Sequence, residues 1–260
     1  MFLSARISLL FAALWLPLGG AAAVDQVLVT APCLSGYWSV TGPNLIQIKL
    51  GPFSGIRIIY SGATDVRDIC LLRHLGSGLS ATCSAGLSSN ADGGVVGDRI
   101  KLRWWSGPAN LIFSGRWDRN GVIAGNFSGG LVGMKVTGGV PASLRKVVLP
   151  AAGGNPASLA AARDVLGDLK AGRLTAVRYE PVALKRVWRA EAWPDAKAPA
   201  SQLTYLGQIH VHWQQRQPDL REDVYEVRSG PDVSLCRIAL SRRGLVDDFA
   251  CQQGAPALSG

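Results

Sequence analysis

The stretch Leu111–Phe127, LIFSGRWDRNGVIAGNF, carries the pattern that decides the fold of the first half of the chain. Short strand-like segments lie on both sides of the tetrapeptide Asp118-Arg119-Asn120-Gly121. Asn-Gly readily adopts the positive φ angles of a tight hairpin turn. The stretch therefore predicts two antiparallel strands joined by a turn.

Similar alternating segments lie on both sides of this hairpin. In residues 46–50 and 99–104, apolar side chains alternate with polar or basic ones, as in strands with one buried face. From Gly36 to Val136 the pattern predicts about eight such strands and no helix. Strands at this spacing form a small barrel or a sandwich. We expect residues 24–140 to be an all-β domain of one of these two kinds.

A short motif occurs twice in this region, as Ser35-Gly36-Tyr37-Trp38 and as Ser114-Gly115-Arg116-Trp117. In a barrel, glycine lets neighbouring strands approach closely, and tryptophan can close one end. The first copy, followed by a meander of strands, resembles the opening of lipocalin-type and avidin-type β-barrels. That resemblance implies a lumen for an apolar ligand, and a lumen filled by side chains is the alternative.

The second half of the chain changes to helices. Residues 141–154 end in a run of small residues and are predicted to form a linker. Asn155 is suited to cap a helix that begins at Pro156, because proline lacks the N–H that the first helical position does not need. A second helix is predicted from Val182 to about residue 192, where Pro194 follows.

Four alternating segments follow these helices, at residues 206–213, 223–228, 233–240 and 245–251. Helices followed by consecutive strands predict an α+β domain with an antiparallel sheet. We expect this domain to cover residues 155–253, with a short tail at residues 254–260.

Four phrases in this half carry a second resemblance: Leu206-Gly207, Asp223–Val227, Cys236–Leu240 and Gly244. Together they resemble the cone-shaped α+β domains of the nuclear-transport-factor-two-like superfamily, in particular the bacterial versions appended to serine hydrolases. That family includes isomerases and non-catalytic binding modules. The resemblance therefore implies a fold rather than an activity.

The first 23 residues have the features of a secretory leader. Arg6 precedes the apolar run Ile7–Leu18, and the small residues Ala21–Ala23 offer a cleavage site. We expect the mature chain to begin at Val24 and to be periplasmic or secreted. No later stretch is long and apolar enough to predict a transmembrane segment after leader cleavage.

Export makes disulfides the expected state of the five cysteines. If Ile238 lies opposite Phe249 in a hairpin, the same register brings Cys236 opposite Cys251, so this pair is predicted to bond. A second bond is expected among the three early cysteines, with Cys70–Cys83 the favoured pair. One early cysteine is then left unpaired.

The chain carries a formal net charge of +9, and the basic excess is shared about equally between its halves. A solvated basic surface accounts for this, and a polyanion of the envelope is the alternative partner. An outward row on one predicted strand, Arg99, Lys101 and Arg103, would form part of that surface. No nucleic-acid-binding motif is recognised, so nucleic acid is not expected as a partner.

Motifs of catalysis are not recognised in the sequence, and no catalytic residue, cofactor or metal is assigned. Ser143 to Lys146 matches S-x-x-K, but the partner motifs of that enzyme class are missing. His210 and His212 share one face of a predicted strand, but no third ligand accompanies them. The pair Asp247-Asp248 is interpreted as turn polarity. A buried acid or histidine inside the cone would favour an enzyme, and the sequence does not predict one.

Aromatic residues supply the candidate ligand pocket in the second domain: Trp188, Trp193, Tyr205, Trp213 and Tyr225. A core or an interface is the alternative use of this aromatic area. The leading hypothesis is an exported, non-enzymatic binding or interaction protein, whose partner is a small apolar ligand or another envelope protein. The rival hypotheses are a small isomerase-like or hydrolase-like enzyme using the cone, and an envelope polyanion-binding protein.

Overall fold

The computed structural model describes residues 33–42, 66–84, 90–106, 109–118, 120–131, 134–150, 154–189, 202–210, 221–230 and 232–253. In the first half, eight antiparallel strands form a closed barrel in which each strand pairs with the next. In chain order the strands are β1 (Gly36–Thr41), β2 (Val66–Leu75), β3 (Gly78–Cys83), β4 (Asn90–Val96), β5 (Arg99–Ser106), β6 (Ala109–Trp117), β7 (Val122–Leu131) and β8 (Met134–Lys146). Of the two architectures that the sequence predicts, the structure has the barrel.

Pairing of β8 with β1 closes the barrel. Val40 lies opposite Leu144, and both side chains are buried in the lumen. Beside them, the hydroxyl oxygens of Thr41 and Ser143 are 2.6 Å apart. Because β8 continues to Lys146, residues 141–146 of the predicted linker belong to the last barrel strand.

The predicted hairpin is formed by β6 and β7. The carboxylate of Asp118 accepts hydrogen bonds from the backbone N–H groups of Asn120 (2.9 Å) and Val122 (2.8 Å). Gly121 has φ 77°, whereas Asn120 does not have a positive φ. The turn thus uses one left-handed glycine, as in a three-residue hairpin loop, instead of two positive φ angles at Asn-Gly.

Glycine allows β6 and β7 to approach closely at Gly115, in the second copy of the repeated motif, and at Gly125 opposite it, whereas Gly36 of the first copy has only an ordinary contact with Lys146. A Cβ atom added at Gly125 would lie 2.3 Å from the carbonyl oxygen of Ser114. One added at Gly115 would lie 2.7 Å from the ring of Phe113. A larger residue at either position would therefore push the strands apart or displace the ring.

Over its described residues, the second half contains two α-helices, a 3-10 helix and a four-stranded antiparallel sheet. The helices are α1 (Pro156–Ala171), the 3-10 helix Ala176–Arg178 and α2 (Pro181–Arg189), and the strands are β9 (Gln202–His210), β10 (Arg221–Ser229), β11 (Asp232–Leu240) and β12 (Val246–Gln253). The sheet order is β12-β11-β10-β9, a meander. No helix in the described part of the chain is long and apolar enough to cross a membrane.

Both predicted helices form. The side chain of Asn155 accepts a hydrogen bond from the N–H of Ala157 at 3.0 Å, so α1 begins at the predicted cap. The helix ends at Ala171 and is capped by Gly172, whose φ is 66°. α2 begins at Pro181, one position before the predicted start.

Both faces of the sheet carry buried side chains. On one face, Tyr225, Ile238 and Phe249 pack with Val165 and other residues of α1. On the other face, Leu206, Ile209 and Val224 pack against Ile69 of barrel strand β2. The sheet is therefore enclosed between the helices and the outer surface of the barrel, and the barrel and the sheet share a core.

Candidate functional site

The barrel lumen is filled by its own side chains over the described residues. Phe127 lies at the centre of an aromatic cluster, with ring centroids 5.2 Å from Phe113 and 5.8 Å from Trp104. Large aliphatic side chains are buried around these rings: Leu72, Leu79, Ile100, Leu102, Ile123 and Leu144. This packing matches the filled-lumen alternative of the sequence analysis.

One end of the barrel is closed by the two tryptophans of the repeated motif. Trp38 is fully buried, and its ring lies edge-on to that of Trp117 with centroids 5.5 Å apart. The indole N–H of Trp38 donates to the carbonyl oxygen of Leu34 at 2.8 Å. Leu34 is also fully buried, so the segment before β1 covers this end.

Two of the five pocket candidates have described side chains. The rings of Tyr205 and Tyr225 have centroids 5.5 Å apart. Tyr225 is fully buried, and its hydroxyl is 2.7 Å from that of Ser158 on α1. Trp188 lies on α2, whereas Trp193 and Trp213 lie outside the described residues. The structure thus brings together Tyr205 and Tyr225 between the sheet and α1.

A buried carboxylate that the sequence analysis does not predict lies beside Tyr205. Asp223 is 5% exposed and accepts hydrogen bonds from the Tyr205 hydroxyl (3.3 Å) and the Gln208 amide (3.1 Å). Strand alternation puts it on the same face as Tyr225, which faces α1. Burial, then the charge of Asp223 and its hydrogen bond, raise the pKa of Tyr205 to about 12. The signal in the sequence is the position of Asp223 two residues before Tyr225.

A second buried carboxylate, Asp168, lies near the end of α1 and is 8% exposed. It accepts hydrogen bonds from the backbone N–H of Thr175 (3.0 Å), the Arg178 guanidinium (3.2 Å) and the Tyr179 hydroxyl (3.2 Å). All three donors belong to the segment that follows α1. Asp168 therefore fixes the connection between the helices.

A third group of buried charges joins the sheet to the barrel. The Arg237 guanidinium donates to both oxygens of Glu222 (2.8 and 2.6 Å) and to Asp248 (3.3 Å). Burial raises the pKa of the Glu222 carboxyl, which is fully buried, and the charge of Arg237 opposes this rise. Burial alone would lower the pKa of Arg237, yet it is raised, because carboxylates including Asp68 of β2 lie close to it.

The position of Asp248 corrects the interpretation of Asp247-Asp248 as turn polarity. Asp248 is inside strand β12, is 5% exposed and forms an ion pair with Arg237. The sequence shows two adjacent acids close to a turn, and the burial of one of them depends on the barrel surface that covers this face of the sheet.

The predicted basic row lies on the outside of β5. Arg99 and Lys101 are exposed and Arg103 is half-buried, whereas the intervening residues point into the lumen. Arg116 of the neighbouring strand lies opposite Arg99 and forms an ion pair with Asp98 at 3.9 Å. The row is therefore part of a wider basic surface on β5 and β6.

Both predicted disulfides are present. Cys70 is bonded to Cys83 and Cys236 to Cys251, with Cα atoms 4.0 and 3.9 Å apart. Ile238 lies opposite Phe249, which is the register from which the second bond is predicted. Cys33 is the cysteine left over, and it is exposed.

Two groups of side chains have residue types that bind metals. Among the described residues, Asp68, Cys70 and Cys83 bring three ligand atoms within 4.8 Å of one another, but the two sulfurs are bonded to each other. A disulfide offers no thiolate to a metal. His210 is half-buried at the end of β9, and its predicted companion His212 lies outside the described residues.

No family model, no curated protein and no solved structure matches this chain. The barrel and the antiparallel sheet are therefore known from the structure alone, and the two family resemblances rest on the short motifs quoted above.

Proposed function

We propose that this protein is an exported, non-enzymatic interaction protein whose partner binds to its outer surface. The observation that supports this proposal is the packing of the barrel interior. Trp38, Leu102 and Phe113 are each fully buried there, in a lumen occupied by side chains. An eight-stranded barrel has an interior just wide enough for side chains to fill, and a filled interior leaves the outer surface for a partner.

The cysteines support the proposal of export. Four of the five cysteines form two disulfides, and each disulfide links neighbouring strands. Disulfides persist in the periplasm and outside the cell, where they are not reduced. The predicted leader over residues 1–23 agrees with this location.

Photo-crosslinking at two neighbouring positions of β5 tests the proposal. A photoreactive amino acid replaces Lys101, which faces outward, or Leu102, which is buried in the lumen. In intact cells we expect a crosslink to a partner from position 101 and none from position 102. A crosslink to a small molecule from position 102 alone would instead establish a ligand-carrying lumen and contradict the proposal.

A small enzyme is the second candidate, and Asp223 is the observation that favours it. A buried carboxylate hydrogen-bonded to a tyrosine hydroxyl, on the sheet face covered by α1, is a pattern found in sites of proton transfer. The four-stranded meander with helices on one face also agrees with the cone-like domain that the family resemblance implies. In this candidate Asp223 would act as the base.

A paired substitution tests the enzyme candidate. Ester hydrolysis and double-bond isomerisation are measured by absorbance for the unchanged protein, for Asp223→Asn and for Asp92→Asn, an exposed barrel acid. An enzyme would lose its turnover in Asp223→Asn and keep it in Asp92→Asn. Equal background rates in all three proteins would remove this candidate.

A further inference from the structure

Four of the large apolar side chains that are exposed lie at one end of the barrel. Strands β2, β4, β6 and β8 all run toward this end, because neighbouring strands are antiparallel. Leu75 ends β2, Val96 ends β4, and Val148 and Leu149 follow β8. Their exposed fractions are 47%, 78%, 89% and 51%. We call this end, formed by Leu75–Gly78, Val96–Arg99 and Lys146–Leu149, the apolar rim.

Two of these side chains, Leu75 and Val96, come directly before tight turns. The β2–β3 and β4–β5 connections each have two residues, and each begins with glycine, Gly76 at φ 59° and Gly97 at φ 60°. Glycine at the first position of a two-residue hairpin loop is the pattern of a type II′ turn. The N–H of Val95 donates to the carbonyl oxygen of Ser77 at 2.9 Å, so the two turns support each other. Leu75 and Val96 are therefore fixed in exposed positions.

Basic side chains surround these tips. Four exposed basic residues lie at the same end of the barrel: Arg99, Arg116, Arg145 and Lys146. The described acids at this end already have partners, because Asp98 pairs with Arg116 and Asp118 accepts two backbone N–H groups of its own turn. The rim therefore combines exposed apolar tips with an excess of positive charge.

We infer that the apolar rim binds the surface of an anionic lipid bilayer. The inference rests on the proposed function, because it names the partner of the outer surface. Phosphate groups of anionic lipids attract arginine and lysine near the membrane, and apolar side chains enter the boundary between headgroups and acyl chains. The exposed apolar side chains of the rim belong to three separate chain segments, and basic side chains lie at the same end of the barrel. That arrangement suits insertion at several points into a bilayer, whereas a protein partner needs a continuous packed face.

Sedimentation with vesicles tests the binding. The full chain is mixed with vesicles of phosphatidylcholine alone or with a third of phosphatidylglycerol, at low and at high salt. We expect binding to the anionic vesicles that weakens in salt, and a loss of about tenfold in partitioning for Leu75→Ser with Val96→Ser. The matched control is Val177→Ser with Val182→Ser, two exposed valines of the helical segment. Equal loss in both double variants, or no binding to anionic vesicles, would overturn the inference.

A fluorescent probe at the tip gives a second readout that the leader does not influence. In a Cys33→Ser background, an environment-sensitive dye is attached to the thiol introduced by Val96→Cys or, as the control, by Val177→Cys. We expect a blue shift on anionic vesicles at position 96 and none at position 177. A soluble polyanion such as heparin should bind without this shift. If heparin competes fully and neither position shifts, the rim binds a polyanion and not a bilayer, and the inference is wrong.

The two proposals fail in different ways. If the protein does not bind vesicles but position 101 crosslinks to a protein, the lipid partner is excluded. The proposed interaction function is then retained. A lumen crosslink from position 102 would remove the interaction function, whatever the vesicles show.

Discussion

Trp38 and Trp117 meet edge to face at one end of the barrel, with ring centroids 5.5 Å apart and an angle of 70° between their planes. They belong to the two copies of the same four-residue motif, on β1 and β6. The two copies of the motif thus have the same structural role, because each places a tryptophan at the same end of the barrel.

Removing these rings should destabilise the barrel unequally. Trp38→Ala should lower the free energy of unfolding by about 3–5 kcal/mol, because Trp38 is fully buried. Trp117→Ala should lower the free energy of unfolding by less, because Trp117 is only half-buried. The double variant should show a coupling of about 0.5–1.5 kcal/mol in urea unfolding. Strictly additive losses would mean that the edge-to-face contact contributes nothing.

The buried charge cluster predicts a large effect of a single arginine. Arg237→Ala leaves Glu222 and Asp248 buried without their cation and should lower the free energy of unfolding by about 3–5 kcal/mol. The control is Arg243→Ala, which removes a surface ion pair with Glu180 and should change stability far less. Similar losses in both variants, measured by denaturant unfolding, would contradict this account.

The raised pKa of Tyr205 predicts a loss of stability in alkali. A tyrosine whose pKa is about 12 in the folded protein, against about 10 in the unfolded chain, stabilises the fold below pH 10. That contribution is lost as the pH rises from 10 to 12, because the unfolded chain releases its proton first. Unfolding at pH 9, 10 and 11 should show a weaker pH dependence in Tyr205→Phe. The same slope in both proteins would show that Tyr205 ionises normally.

The cysteine pairs predict one reactive thiol in the folded, unreduced protein, that of Cys33. Hydrogen bonds from the backbone and side chain of Ser35 lower its pKa, so it should react readily with a thiol reagent. Replacing Cys236 and Cys251 together by serine should lower stability by about 3 kcal/mol through the lost loop constraint. Three reactive thiols without reduction would exclude one of the bonds.

The predicted leader is tested by sequencing the N-terminus of protein recovered from outside the cytoplasm. We expect it to begin at Val24, because the small residues Ala21–Ala23 close the apolar run. An exported chain that still carries Met1 would remove this argument for export.

Much of the local structure is predictable from the sequence. The β6–β7 hairpin, the Asn155 cap and the Cys236–Cys251 register each depend on residues that are neighbours in one turn, one helix end or one strand pair. Alternation and turn chemistry act over such short distances. Cys70 and Cys83 also lie opposite each other across one hairpin, but the sequence favours this pair without predicting its register, which comes from the structure.

The candidate sites depend on contacts between distant parts of the chain. Alternation predicts that one face of β10 is buried, but it does not show that the barrel covers the other face and encloses Glu222 there. Closure of the barrel, too, requires β1 to meet β8, more than 90 residues away. Asp223 becomes a buried acid only when Tyr205 and Gln208 of the neighbouring strand β9 lie beside it. Whether a polar residue is solvated or enclosed is decided by the layer that packs on it, and that layer comes from elsewhere in the chain.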